Sequence, residues 1–165
     1  PLVEVVSSPL TDAKVAESLV QLLKDLDKAP IWVKKDVPGF VGNRLQHAMM
    51  REALYLIDDG VTDAEGIDTA VRYGFGFRFI ACGPMKQKEM SGWDTHDLVA
   101  SALYPHLHDE KGPPQWLKDL VARGRTGMKV KAGMWDWDDE TIKKEKARIE
   151  RALQAGFAIL RADSD

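Results

Sequence analysis

Apolar positions fall into two short β-branched runs near the start of the chain, and into three- and four-residue spacings from about residue 40 onward. Leu2-Val3-Glu4-Val5-Val6 is bounded by Ser7-Ser8-Pro9 and reads as a strand whose only charge is Glu4. Ala29-Pro30-Ile31-Trp32-Val33 reads as a second strand. Between them Thr11 or Asp12 caps a helix in which Val15, Leu19, Leu22, Leu23 and Leu26 form one stripe, giving a strand–helix–strand unit. Two strands make a marginal sheet, so residues 2–33 are expected to be the tail of a larger one.

The segment Asp36-Val37-Pro38-Gly39-Phe40-Val41-Gly42-Asn43-Arg44-Leu45 joins this unit to the longest amphipathic pattern in the middle of the chain. Pro38 and Gly39 force a change of direction, and a helix is expected from about Phe40. Val41, Leu45, Ala48, Met49, Ala53, Leu56 and Ile57 make its apolar face, Arg44, His47, Arg51 and Asp58 line another, and Gly60 ends it. Asn43 falls in the first turn, where a side-chain amide can be aimed at a ligand carbonyl. The pattern alone favours a solvated or capping role for Asn43. Glu4 is also two-sided. A carboxylate in a Val-rich strand needs a partner such as a histidine or a backbone donor if it is buried, and needs none on an edge strand facing water.

Thr62-Asp63-Ala64-Glu65 is a capping box for a short helix through Ile67, Ala70 and Val71, which Gly74-Phe75-Gly76-Phe77 ends. These glycines follow a helix and lack a third partner, so they are not a nucleotide loop. Gly83-Pro84 opens another helix, Gly92-Trp93-Asp94 breaks it, and Asp94 or Thr95 caps the next, through Leu98, Ala102 and Leu103. Lys111-Gly112-Pro113-Pro114 is a loop, and Trp116, Leu117, Leu120 and Val121 mark a helix stopped by Gly124. The loop from Gly127 to Gly133 offers Lys129 and Lys131 to an anion or to solvent, solvent being the default. Asp138 or Asp139 begins a final charged helix with Ile142, Ile149, Leu153, Phe157 and Leu160 on one side. From Phe40 onward the expected fold is a helical bundle.

A length of 165 residues suffices for a real core, and a net charge of −3 gives no basic field for nucleic acid or an anionic membrane. Cys82 is the one cysteine, which suits a reducing compartment and a cytoplasmic location. No apolar run is long enough for a membrane span, and no leader pattern is visible. The chain opens on Pro1 without a Met, so it is expected to be a piece of a longer protein. His106 and His108, followed by Asp109 and Glu110, have no second ligand pair at metal-site spacing, and no metal is expected.

Taken in order, several of these segments resemble the C-terminal part of the 3-hydroxyacyl-CoA dehydrogenase family. They are Pro1 to Val6, Asp36 to Leu45, Glu52-Ala53 with Gly60 beyond, Ile67-Asp68, Gly83-Pro84, Gly92-Trp93-Asp94, and Gly127 to Trp137. The D-x-P-G-F-x-x-N-R stretch is the most distinctive. The resemblance implies residues 1–35 as the terminal strand–helix–strand of an NAD-binding Rossmann domain. It implies residues 36–165 as a mainly α substrate-binding and dimerisation domain, a bundle of the 6-phosphogluconate dehydrogenase C-terminal-like type.

It further implies NAD-dependent oxidation of a 3-hydroxyl to a ketone, with NAD bound mainly by an N-terminal domain, and a homodimer. Glu4 matches the glutamate that pairs with the family's catalytic histidine, and Asn43 matches the asparagine that polarises the substrate oxygen. The glycine fingerprint, that histidine and the active-site serine are not in this sequence. Where the family usually has G-P-F-E, this chain has Gly83-Pro84-Met85-Lys86, and for G-F-Y it has Gly133-Met134-Trp135. Lys86 would favour a small anionic substrate or else sit on the surface. The rival readings are therefore a dehydrogenase of a small non-CoA hydroxy acid or alcohol, and a helical interaction module without catalysis.

Overall fold

The structure is a computed structural model that describes residues 1–162. Strands β1 (Leu2–Val6) and β2 (Ala29–Val33) pair in parallel with Leu2 opposite Ala29 and Val6 opposite Val33. Parallel strands need a crossover, here helix α1 (Ala13–Asp25), whose N-cap Asp12 accepts the Lys14 N–H at 2.8 Å. The pairing extends past both ends, through Ser7 N–H to the Val33 carbonyl at 3.0 Å and Ala29 N–H to the Pro1 carbonyl at 2.8 Å. Trp32 Nε1 donates to Ser7 Oγ at 2.7 Å, which gives that buried hydroxyl a partner.

Helix α1 corrects the stripe read from spacing. Its buried row is Ala16 with half-buried Val20 and Leu23, while Val15, Leu19, Leu22 and Leu26 are exposed. The helix carries two apolar rows, and the small Ala16 allows the close approach that puts its own row on the sheet. Val5, Ala16, Val33 and Ala53 are the buried apolar residues among those described.

Helix α2 (Gly42–Asp58) starts two residues later than expected, because Phe40 has φ +48° and a left-handed residue cannot belong to a right-handed helix. It closes with Gly60 N–H on the Ile57 carbonyl and Val61 N–H on the Leu56 carbonyl, both at 3.0 Å. Helix α3 (Ala64–Thr69) is capped by Asp63, which accepts the Gly66 N–H at 2.8 Å. The helical path does not end at Gly74 but widens into a π-turn over Ala70–Phe75 and tightens to a 3₁₀ segment over Gly76–Ile80. The wide turn brings the Val71 carbonyl against Gly76, where a Cβ would lie 2.7 Å from that oxygen.

Helix α4 (Pro84–Ser91) has Pro84 in its first turn, and α5 (Trp93–Leu103) starts directly after Gly92, without the expected Asp94 or Thr95 cap. After α6 (Gln115–Ala122), Arg125 staples the loop that follows, Nε to the Gly133 carbonyl at 2.9 Å and Nη2 to Asp136 at 2.8 Å. Helix α7 (Asp139–Ala162) begins with Asp138 and Thr141 exchanging side-chain-to-backbone bonds of 2.7 and 3.0 Å. The contacts divide the chain into Pro1–Met50 and Arg51–Asp165.

Candidate functional site

The Asp36-to-Leu45 segment folds as the sequence chemistry requires. Phe40 N–H donates to the Val37 carbonyl at 3.0 Å across Pro38 and Gly39, and Gly39 has φ +80°. Proline at the second position of a turn with a positive-φ glycine at the third is a type II turn. Phe40 then continues in the left-handed region, which costs a non-glycine residue about 1–2 kcal/mol. Arg44 Nη1 reaches back to the Pro38 carbonyl at 3.3 Å and closes the turn.

This turn aims the first amides of α2 at β1. Glu4 Oε1 accepts the Val41 N–H at 2.8 Å and the Gly42 N–H at 3.1 Å. Of the two roles open to Glu4 in the sequence, the structure shows the partnered one, with backbone donors. A carboxylate at this point satisfies two N–H groups that the first turn of a helix cannot pair, and its charge complements the helix dipole. Oε2 makes no hydrogen bond among the described residues, and a Cβ on Gly42 would stand 3.8 Å from it.

Asn43 follows directly. It is exposed in the first turn of α2, and its amide has no hydrogen-bond partner among the described residues. Glu4 and Asn43 are thus brought to one turn, one held and the other free to meet a ligand. His47, one helical turn on, is exposed.

Other sequence candidates land elsewhere. Lys131 pairs with Asp139 at 2.7 Å, so its ammonium is engaged within the protein. Cys82, Met85 and Lys86 line an open groove of about 400 Å³ together with Phe79, Ile80 and Leu160. Among the described residues no group of three or more His, Cys, Asp or Glu side chains is placed so that it could hold a metal ion.

A second polar cluster was not visible in the spacing. His108 Nε2 lies 3.1 Å from Asp59 Oδ2, its Nδ1 lies 3.3 Å from Glu110 Oε1, and its backbone N–H donates to Glu52 at 2.9 Å. Its ring stacks on Tyr55, centroids 4.8 Å apart, and the Tyr55 hydroxyl donates to the Gly112 carbonyl at 3.2 Å. The hydrogen bond to Glu110 raises the His108 pKa above its ordinary value; burial opposes this, and the charges of Glu110, Asp59 and Glu52 add to the rise. Glu110 is lowered, first by its own backbone N–H and then by His108. Glu52, Tyr55 and Asp59 share a helical face in the sequence, but only folding brings residues 108–112 to them.

Residues 39–137 match the family described as 3-hydroxyacyl-CoA dehydrogenase, C-terminal domain. The chain is 33% identical over 160 residues to 5-formyl-3-hydroxy-2-methylpyridine 4-carboxylate 5-dehydrogenase of Mesorhizobium japonicum, covering 97% of this chain and 52% of the relative. It is 40% identical over 157 residues to a 3-hydroxyacyl-CoA dehydrogenase of Gibberella moniliformis, covering 94% and 44%. The chain therefore spans about half the length of these curated relatives. Among solved structures it matches a 5-formyl-3-hydroxy-2-methylpyridine 4-carboxylic acid 5-dehydrogenase, an NAD⁺-dependent dismutase. The TM-score is 0.93 at 33% identity, over 98% of this chain and 52% of that one. With the turn, the strand glutamate and the helical order in place, these matches establish that the chain belongs to the 3-hydroxyacyl-CoA dehydrogenase family and corresponds to its C-terminal part.

Proposed function

We propose that the natural protein is an NAD-dependent dehydrogenase that interconverts a 3-hydroxyl and a ketone, and that Glu4 and Asn43 are this chain's contribution to its active site. The observation that carries this is the Glu4 carboxylate seated on the Val41 and Gly42 amides, one residue from the unpartnered Asn43 amide. In this reading Asn43 donates an N–H to the reacting oxygen, where negative charge develops. Glu4 presents Oε2 to the imidazole that takes the hydroxyl proton, orienting it and stabilising its charged form. In our reading that imidazole lies outside this chain, since among the described residues none of its four histidines hydrogen-bonds Glu4.

NAD supplies the hydride acceptor in this family. The β1–α1 turn does not fit a pyrophosphate. It has no glycine, Asp12 itself occupies the N-terminus of α1, and Ser8 and Thr11 bond each other there. The dinucleotide-holding residues in our reading lie outside this chain.

A non-CoA substrate is the second reading. It is supported by the TM-score of 0.93 to a pyridine carboxylate dehydrogenase and by Lys86, which stands where the family usually has an acid. A cation there suits a small carboxylate. Assays of NADH formation by the natural protein with 3-hydroxyacyl-CoA, small hydroxy acids and hydroxymethyl pyridine carboxylates test both readings. Turnover of the CoA thioester alone overturns the second, and turnover of none overturns the first.

We also place the enzyme in the cytoplasm as a homodimer. Cys82 is a free thiol, and Tyr73, Met85, Met90, Leu98 and Tyr104 in the helical unit expose between 61% and 83% of their surface, as interface residues do before assembly. A monomer in sedimentation of the natural protein would refute the dimer.

A further inference from the structure

The backbone at Phe40 is the least expected feature of the described chain, since a bulky side chain rarely adopts a left-handed φ. Such geometry persists only where its surroundings over-determine it. Here three contacts do so. Glu4 Oε1 takes the Val41 and Gly42 amides at 2.8 and 3.1 Å, and Arg44 Nη1 closes on the Pro38 carbonyl at 3.3 Å. A helical φ at Phe40 would begin α2 earlier and swing both amides off Glu4.

Resting on the dehydrogenase reading, we propose that the Gly39–Phe40 turn is the seat of Glu4, and that Gly39, Phe40 and Arg44 are positioning residues for it. Successive backbone N–H groups after a left-handed residue form a concavity for an anion, and the anion here is the protein's own carboxylate. Both amides converge on Oε1. Oε2 is left as the oxygen open to the proton-accepting imidazole, and Gly42 presents no side chain to cover it. Because the amides belong to the two residues before Asn43, the same bonds hold the substrate-facing amide in register with the carboxylate.

The test is a double-mutant cycle in the natural protein, with amide exchange of Val41 and Gly42 as a second readout. Gly39→Ala is expected to lower kcat by about 10- to 100-fold, as misplacement of a catalytic group does, with KM within about threefold. In a Glu4→Ala background the same change should lower kcat no further, because residues acting through one group are not additive. Gly39→Asn should recover much of the loss, since asparagine tolerates the left-handed region and its Cβ meets Arg44 Cγ at the same 3.4 Å. Arg44→Ala, which removes the bond to the Pro38 carbonyl, takes the place of Gly39→Ala in the cycle if that variant does not fold. Both amides should exchange faster in Glu4→Ala. Additive losses, an unchanged kcat in Gly39→Ala, or unchanged amide protection in Glu4→Ala each overturn the proposal. Absence of any dehydrogenase turnover in the unaltered protein overturns the function instead, and amide exchange then decides the seat by itself.

Discussion

Replacing Asn43 by alanine separates a role in chemistry from a role in folding. The side chain is exposed and its amide bonds nothing among the described residues, so its removal breaks no hydrogen bond there. Alanine is the better helix former by up to about 0.7 kcal/mol, so stability should hold or rise slightly, shifting Tm of a protein of this family's size by no more than about 3 °C. Turnover should behave oppositely. Loss of one donor aimed at a developing oxyanion costs roughly 100- to 1,000-fold in kcat. Asn43→Asp should lose as much turnover, because a carboxylate has no N–H to give, while its charge suits the first turn of α2. The assay is NADH absorbance with the natural protein, paired with a thermal melt of each variant. A kcat within threefold of the unaltered enzyme in both variants refutes the placement of Asn43 against the substrate oxygen. A fall in Tm above about 5 °C refutes the claim that the side chain has no structural duty.

The clasp around His108 should be pH-dependent. Its folded pKa lies above the ordinary 6.5, so its stabilisation is complete below 6.5 and is lost as pH rises through the folded value. Glu110, lowered from 4.5, gives the opposite sign, contributing above 4.5 and failing as pH drops through its folded value. The clasp is therefore firmest between about 4.5 and 6.5, and His108→Gln should flatten the decline of stability above pH 6.5 in denaturation curves; an unchanged decline counts against the geometry. Ser7→Ala strands the Trp32 indole N–H, which loses its 2.7 Å partner, and should cost about 1–3 kcal/mol by urea unfolding. A cost below about 0.5 kcal/mol would mean that water replaces the hydroxyl. Gly76→Ala puts a methyl 2.7 Å from the Val71 carbonyl and should cost about 1–3 kcal/mol, read as a lowered Tm, unless the π-turn relaxes to an ordinary helix.

What the sequence by itself determined is local. Strand β1, a helix cap at Thr11 or Asp12, the Pro38-Gly39 turn, the helical course after it and the family resemblance all depend on neighbours within a few residues, where side-chain chemistry dictates backbone geometry directly. Asn43 in the first turn of α2 was legible for the same reason. What only the tertiary structure decided is which partner each group meets across the chain. Spacing could not choose between the two apolar rows of α1, because both have helical period and the choice turns on how closely Ala16 lets the helix approach the sheet. It left Glu4 with either a partner or water, and the answer lies 37 residues away in two backbone amides, which have no signature in the sequence. Phe40's left-handed φ was hidden too, since nothing in a phenylalanine announces it, and it delayed α2 to Gly42. The clasp of His108 with Asp59 joins residues 49 positions apart. Each of these rests on a long-range contact whose closure must offset chain entropy, and that balance is struck by the folded whole and by no local pattern.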